Sequence, residues 1–599
     1  MKTDIREAEI AETSQKGVLR LRGSSAFGRI FRVANQNAAR LISAGLLLVM
    51  AINLFSVIAR KSITIDETLI IPSGYYNVNS RTFHIEPDHP PLSKVLAGLP
   101  LIFLPLEAPM LADLYREPSA DQTVIAGNRF WTTNRQHFES VFFWARVPMV
   151  ILTLLLGTLV FIFSRRLFNV RAAVLAVALF SLEPTILAHG RVVKDIHVAF
   201  VYLLFFLALY LYGSRPTLRR AAWLGLTCGL ALAAKHSMVI LVPVLLLSFC
   251  FLYLRPPSGS ERRQLLVHFL IAACCTLVVV KAAYLFVDQP LIAADIEALV
   301  RDDQARSGVL LSALDRASVF VPPYFLYGVY RTFIHNEVGH PAFLLGAYSD
   351  HGWWYYFPVA FALKTTIPFF LITLVSLVWA AFGAIRRDVR FLILLAPVGI
   401  YGLMAMSASI NIGIRHLLPV FPFLFILGGA LLDRLLRARR NPQLGVAVVI
   451  VIMAACAVEA VRTYPNYIPY MNQFASGRPA WHLLSDSNVE WGDDTGAVAE
   501  YLKERGETRV RASFLGGPAL LPLYGVEYVD LLSPPGTPMP ETRYVALGAS
   551  FLNGSTVPGW SAGSGRETKE QQRNFFADYR NRSPEAIFGN SIYLYRVNE

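Results

Sequence analysis

Residues 41–59 read LISAGLLLVMAINLFSVIA and residues 443–457 read QLGVAVVIVIMAACA, two runs without a charged side chain. Apolar runs of roughly this length are what a helix needs to cross the hydrocarbon core of a bilayer. Working outward from them, further apolar blocks occupy 141–163, 171–188, 196–213, 221–234, 237–254, 264–286, 356–384, 391–406 and 416–432. The pattern predicts an α-helical polytopic membrane protein with about eleven transmembrane helices. Composition agrees: 54% of the 599 residues are hydrophobic and 16% charged, against roughly 25% charged in a soluble domain. A disordered chain, a collagen-like repeat and a disulfide scaffold are excluded.

The net charge of +13 would point to nucleic acid in a soluble protein. Here the cations sit in short connections between apolar blocks: Arg165/Arg166, Arg215/Arg219/Arg220, Arg255/Arg262/Arg263, Arg386/Arg387/Arg390 and Arg434/Arg437/Arg439/Arg440. With the basic tail 1–40 (Arg20, Arg22, Arg29, Arg32, Arg40) in the cytoplasm, every one of these connections is cytoplasmic, as the positive-inside rule requires. The first apolar block ends in Ala59-Arg60-Lys61 with no small-residue cleavage site, so it reads as an uncleaved signal-anchor. The expected partners are membrane lipids rather than nucleic acid. The five cysteines (Cys228, Cys250, Cys274, Cys275, Cys456) all lie in apolar blocks, none in a CxxC, so neither a disulfide framework nor a structural zinc site is expected.

The transmembrane region is then 41–461, with three long segments on the non-cytoplasmic side: 60–140, 287–355 and the tail 462–599. Within the first, 92–106 (LSKVLAGLPLIFLPL) is too short and proline-broken to span, and is expected to be interfacial or re-entrant. In the tail, 493–505 reads as a helix and 508–515, 543–548 and 591–597 as strands. A small extracytoplasmic α/β domain is expected there.

Ionisable residues at membrane helix ends, away from the basic cytoplasmic clusters, are candidates for function. Asp66-Glu67 directly follow the first helix, where a carboxylate at the rim of a cavity is placed to act as a general base. Asp195 closes the external turn EPTILAHGRVVKD, which also holds His189, Arg191 and Lys194; a carboxylate among cations suits a site that orients a hydroxyl and neutralises a phosphate. Lys235, Lys364, Arg415 and His416 sit at or near external helix ends. A single lysine there ordinarily snorkels, but several cations on one face point to a lipid phosphate. The stretch 84–94 (HIEPDHPPLSK) adds His89 and Lys94 around a stiff proline pair. Trp353 to Phe357 read as an interfacial aromatic belt. His335 and His340 are five apart with Gly339 between them and do not make the HExxH zinc motif. No nucleotide-binding motif is present, no cofactor is required by the sequence, and the external acids leave a divalent cation possible.

In order along the chain, the acidic pair Asp66-Glu67, HPPL at 89–92 with Lys94, ILAHGRVVKD at 186–195, AAKHS at 233–237, GHPAFLLGAYSDHGWWYYFPVAFALKT at 339–365, GIRHLLPVFPF at 413–423, YPNYIPYMN at 464–472 and SDSNVEWGDD at 485–494 resemble the bacterial branch of glycosyltransferase family 39. That group holds phospholipid-carrier-dependent enzymes related to the protein O-mannosyltransferases and the lipid A aminoarabinose transferase. The resemblance implies a GT-C bundle with its active site at the external face, a polyprenyl-phosphate sugar donor and inversion at the anomeric carbon. It implies that Asp66, with Glu67 beside it, is the first-loop catalytic acid and Asp195 the second acidic position. His89, Lys94, His189, Arg191, Lys194, Lys235, Lys364, Arg415 and His416 are then the candidates for donor and acceptor binding. The acceptor stays open among protein, lipid A, another glycolipid and polysaccharide. A lipid or glycan transporter and a non-catalytic envelope assembly protein are the alternatives; a transporter ordinarily places its ionisable residues at the bilayer midplane in paired repeats, and no repeat is visible here. The expected location is the bacterial inner membrane, with the tail periplasmic.

Overall fold

The computed structural model describes residues 36–597, apart from 112, 114–117, 258, 260, 303–307, 310, 313–315, 439–440, 534–538 and 558–568. Most of the basic tail 1–40 and the pair Arg439/Arg440 thus lie outside the described residues. Among those described, nine helices are long and apolar enough to cross a membrane: Gln36–Ile58, Arg135–Leu167, Ile196–Ser214, His236–Leu254, Arg262–Ala283, Ile367–Ile385, Val389–Met406, Ile414–Leu436 and Pro442–Thr463. The remaining two expected spans are shorter helices. Val170–Leu182 stops where Glu183 turns to extended backbone ahead of Pro184, and a six-residue helix Pro184–His189 follows. Leu218–Ala234 stops at Lys235, which is extended, so Lys235-His236 separates the two apolar blocks.

The expected span 356–384 is two elements. Tyr356–Lys364 ends at Thr365-Thr366, both extended, and Ile367–Ile385 starts afresh with Pro368 in its first turn. A proline there costs no intrahelical hydrogen bond. The stretch 92–106 forms a short helix Pro91–Gly98 and a 3-10 turn Leu99–Phe103. It crosses the first-loop helix Ile65–Asn79 at a glycine contact: a Cβ on Gly74 would meet the Lys94 carbonyl oxygen, and one on Gly98 the Gly74 oxygen, each at 2.2 Å.

The two ends of the bundle differ chemically. Ile414–Leu436 is the most enclosed of these spans, and it carries Arg415 at one end and Asp433 near the other. At the Asp433 end, Asn169, Arg171 and Arg437 surround the carboxylate, and Arg390 lies over the Phe168 ring. The connections around 165–171, 386–390 and 434–437 therefore gather at one end. The chain turns at 62–66, 189–195, 235 and 411–415 gather at the other.

The tail forms a five-stranded mixed sheet in the order Glu527–Asp530, Arg509–Ser513, Tyr544–Gly548, Ile592–Arg596, Ala586–Phe588. The first three strands are parallel and the last two join antiparallel. Val498 and Leu502 of helix Thr495–Glu504 pack on Val510, Ala512, Ala546, Ile592 and Leu594, so the expected helix and all three expected strands are present. The segment leading into this domain is stitched to the bundle: Ser62 N–H donates to the Asp493 carbonyl and Ile65 N–H to that of Trp491, each at 2.9 Å, and Leu345 N–H to that of Leu483, also at 2.9 Å.

Candidate active site

Asp66 is the second residue of helix Ile65–Asn79, whose N-terminus is fixed by a capping box between Thr64 and Glu67. Its Oδ2 accepts three hydrogen bonds, from Lys194 Nζ and Arg415 Nη1 at 2.6 Å each and from Trp491 Nε1 at 3.0 Å. Oδ1 has no hydrogen-bond partner among the described residues. Asp66 lines a cavity of about 710 Å³ and is the more accessible partner of its ion pairs, with 23% of its side chain exposed. Burial pushes the Asp66 carboxyl up, but the Lys194 and Arg415 charges outweigh it and hold the group well below the ordinary carboxylate range.

Arg415 is the hub. It pairs with Asp66, lies 3.7 Å from Asp195 Oδ2, and its guanidinium stacks 4.4 Å from the Trp491 ring centroid. Asp195 Oδ1 accepts from Lys235 Nζ at 2.9 Å while its buried Oδ2 has no hydrogen bond. Against burial, Lys235 and Arg415 hold Asp195 well below its usual value too. Burial would lower Lys235, but Asp195 beside it raises it. Around Asp66 there are thus three cations and two carboxylates.

Of the expected residues, Asp66, His89, Lys194, Lys235, Arg415 and His416 line the cavity; Asp195 stands behind Lys235. Five others are turned to structural work. Glu67 is fully buried and accepts five bonds: two from Arg146, at 2.9 and 2.6 Å, one from Val193 N–H at 3.1 Å, and two from the Thr64 N–H and hydroxyl. No lone pair is left to take a substrate proton, so the structure places Glu67 as the pin between the first loop and the helix that carries Arg146, not as a catalytic acid. Arg191 clamps Asp493 at 2.8 Å. Lys94 is buried on the Glu86 carbonyl at 2.5 Å. Lys364 reaches the carbonyls of Ile468 and Asn488 at 2.5 and 2.6 Å. His189 packs its ring 5.6 Å from Trp491. Arg191, Lys94 and Lys364 were expected on phosphate; buried carbonyls and a buried carboxylate hold them first.

Several residues of the site carried no assigned role in the sequence reading. Trp491 and Asp493 lie in SDSNVEWGDD, and Asp494 of the same motif pairs with Lys61. Glu490 accepts from Leu515 N–H at 2.5 Å and Ser550 N–H at 2.8 Å, tying this segment to two turns of the sheet domain. With no counter-cation, burial pushes its carboxyl up to about 8. Gly548 leaves room for it: a Cβ there would meet Glu490 Oε1 at 2.0 Å. Arg331 pairs with Asp88 at the cavity wall. Among the described residues no group of three or more His, Cys, Asp or Glu converges as a metal cage, and the cavity acids Asp66 and Asp88 already face Lys194, Arg415 and Arg331.

Residues 136–285 match the family model described as dolichyl-phosphate-mannose-protein mannosyltransferase. No curated protein matches the chain. Among solved structures the chain is similar to ArnT from Cupriavidus metallidurans bound to undecaprenyl phosphate, at 13% identity over 92% of this chain and 97% of that one, with a TM-score of 0.44. It is also similar to the oligosaccharyltransferase of Archaeoglobus fulgidus in the apo form, at 14% identity over 90% and 68%, with a TM-score of 0.43. The matched stretch, residues 136–285, is about a quarter of the chain.

Proposed function

We propose that this chain is an integral-membrane glycosyltransferase that moves a sugar from a polyprenyl-phosphate donor to an acceptor hydroxyl or amine, inverting the anomeric carbon, with Asp66 as general base. The observation that carries the reading is the asymmetric Asp66 carboxylate: one oxygen is held by two cations and an indole N–H, and the other is uncommitted on a cavity wall. Oδ1 takes the acceptor proton as the acceptor oxygen or nitrogen bonds to C1. The C1–O bond to phosphate breaks on the opposite face, and its electron pair leaves with the polyprenyl phosphate.

The cations around Asp66 support a phosphodiester donor. Lys194, Lys235 and Arg415 cluster about the two carboxylates Asp66 and Asp195 and offer N–H donors to a singly charged lipid-phosphate sugar. The second charge that develops on the leaving phosphate is stabilised by the same preorganised cations. The same cavity is also lined by Phe333, Met404, Ala405, Ala408, Ile410 and Ile412, apolar side chains suited to the start of a polyprenyl chain. Because Asp66 stays ionised at any physiological pH, its first effect is to align the acceptor; it takes the proton late, once C1–O bonding has made that proton acidic. The positive-inside pattern supports a cavity on the non-cytoplasmic side of a bacterial inner membrane, with the tail periplasmic. The test is sugar release from a radiolabelled polyprenyl-phosphate hexose by the purified chain in nanodiscs. Release by the parent chain and its loss in Asp66→Asn is the expected result; equal release by both rules out Asp66 as base.

A further inference from the structure

Beside the Asp66 cavity lies a second one of about 290 Å³, near the lower end of the roughly 300–1,000 Å³ typical of small-molecule sites. It opens between the 340–350 hairpin and the sheet domain, and His340 and Asp486 line both cavities. Asp486 is held firmly at this junction. Its backbone is left-handed, with φ 54°, its N–H donates to Ser550 Oγ at 2.7 Å, and its Oδ1 accepts from Ser487 N–H at 2.5 Å. Its Oδ2 has no hydrogen bond among the described residues, so it is a fixed acceptor for a molecule reaching from one cavity into the other.

The walls of the second cavity are balanced in charge and rich in hydroxyls. Asp350 and Asp486 offset Lys569 and Arg573, and Ser, Thr and Tyr hydroxyls supply much of the rest. Lys569 pairs with Asp350, and the Arg573 guanidinium sits 4.4 Å over the Tyr348 ring. An anionic acceptor finds no net positive field here. A polyol, whose every hydroxyl both donates and accepts, finds both carboxylate acceptors and cationic donors here.

We propose that this cavity is the acceptor subsite and that it takes a neutral, hydroxyl-rich saccharide, whose leading hydroxyl passes Asp486 to reach Asp66. The proposal rests on the glycosyl-transfer reading and names its acceptor class. In the step, that hydroxyl oxygen bonds to the donor C1, the C1–O(phosphate) bond breaks with its pair to phosphate, and the hydroxyl proton goes to Asp66 Oδ1.

The test is photolabelling of the full chain in nanodiscs with three diazirine probes: maltotriose, glucose 6-phosphate and a short serine- and threonine-containing peptide. Maltotriose is expected to label 340–350 or 569–573 and to be competed by unlabelled maltotriose. Labelling should fall roughly ten- to a hundredfold in Lys569→Ala and Arg573→Ala, the loss of a hydrogen bond to a charged donor. Lys569 is a surface side chain, 67% exposed, so Lys569→Ala keeps the fold. Preferential labelling by the peptide or the phosphosugar, labelling elsewhere, or undiminished labelling in both variants overturns the subsite. The two readings fail separately: cleft labelling by maltotriose with Asp66→Asn fully active sinks the base alone, whereas Asp66-dependent sugar release without cleft labelling sinks the subsite alone.

Discussion

Asp66 and Asp433 sit at opposite ends of the helical bundle, and each is met by two cations at close range: Lys194 and Arg415 for one, Arg171 and Arg437 for the other. What separates them is what the cations face. Arg171 and Arg437 are each about half exposed, while the Asp433 carboxylate is almost covered; water screens such pairs, and they are worth little. Around Asp66 the order is reversed. Arg415 is buried and the carboxylate is the exposed member, opening on a cavity. An acid among cations is therefore not in itself a signature of chemistry. The signature is an acid whose partners are fixed out of water while one of its own oxygens is left to a ligand.

The largest effect that tests this contrast is Asp66→Asn. It keeps shape and loses the base, and sugar transfer should fall roughly 10²–10⁴-fold with the thermal midpoint nearly unchanged. A variant that melts early instead would make Asp66 structural, like Glu67. Next comes Glu67→Gln, which breaks a buried, bidentate pair with Arg146. A loss of about 3–5 kcal/mol of stability is expected, read as a lower melting temperature in detergent, with residual specific activity in the fraction that stays folded. Wild-type stability with abolished turnover would return Glu67 to the catalytic set. Lys235→Gln removes a cation without touching Asp66; donor affinity should weaken by about 2–5 kcal/mol, measured as a rise in donor KM larger than any fall in kcat. An unchanged KM would leave Lys235 only as the partner of Asp195.

A smaller effect is expected with pH. The Glu490 carboxyl is raised from near 4.3 in the unfolded chain to about 8 in the fold. Its favourable contribution is complete below the lower value. It declines as pH rises towards about 8 and is gone above that. Docking of the 490s segment, followed by limited proteolysis of the tail, should loosen over this range. Glu490→Gln should flatten the profile; a profile that steepens with acid instead reverses the sign. Last, Asp433→Asn should change stability by no more than about 1 kcal/mol and leave transfer untouched. A large loss of activity there would erase the distinction between the two ends.

Much was legible in the residues alone. The apolar blocks predicted membrane helices because only closed hydrogen-bonding elements survive in lipid, and among the described residues nine helices are long and apolar enough to span, one of them only the second part of its block. The strands and helix of the tail followed from their period. Asp66, Lys194, Lys235 and Arg415 were identifiable because a charge at a helix end outside the basic connections needs a reason. The roles within the set were not legible. Asp66 and Glu67 are neighbours in sequence, yet only the helical rotation at Ile65–Asn79 turns one into a cavity and the other onto Arg146. Arg191, Lys94 and Lys364 have the same chemistry as Arg415 and Lys194, but each meets a buried partner that only the folded chain brings near, such as Asp493, 302 residues away from Arg191.

The sequence by itself determined the medium, the number of crossings to within two short helices, and which residues carry charge on the face opposite the arginine-rich connections, because hydropathy and charge act locally and add along the chain. Only the tertiary structure decided which of those charges are free to meet a ligand. That depends on partners supplied from hundreds of residues away, and on a tail domain whose 485–494 segment, with Asp486 and Trp491, closes one wall of the cavity. Burial and pairing are properties of three-dimensional neighbours, and no local pattern along the chain encodes them.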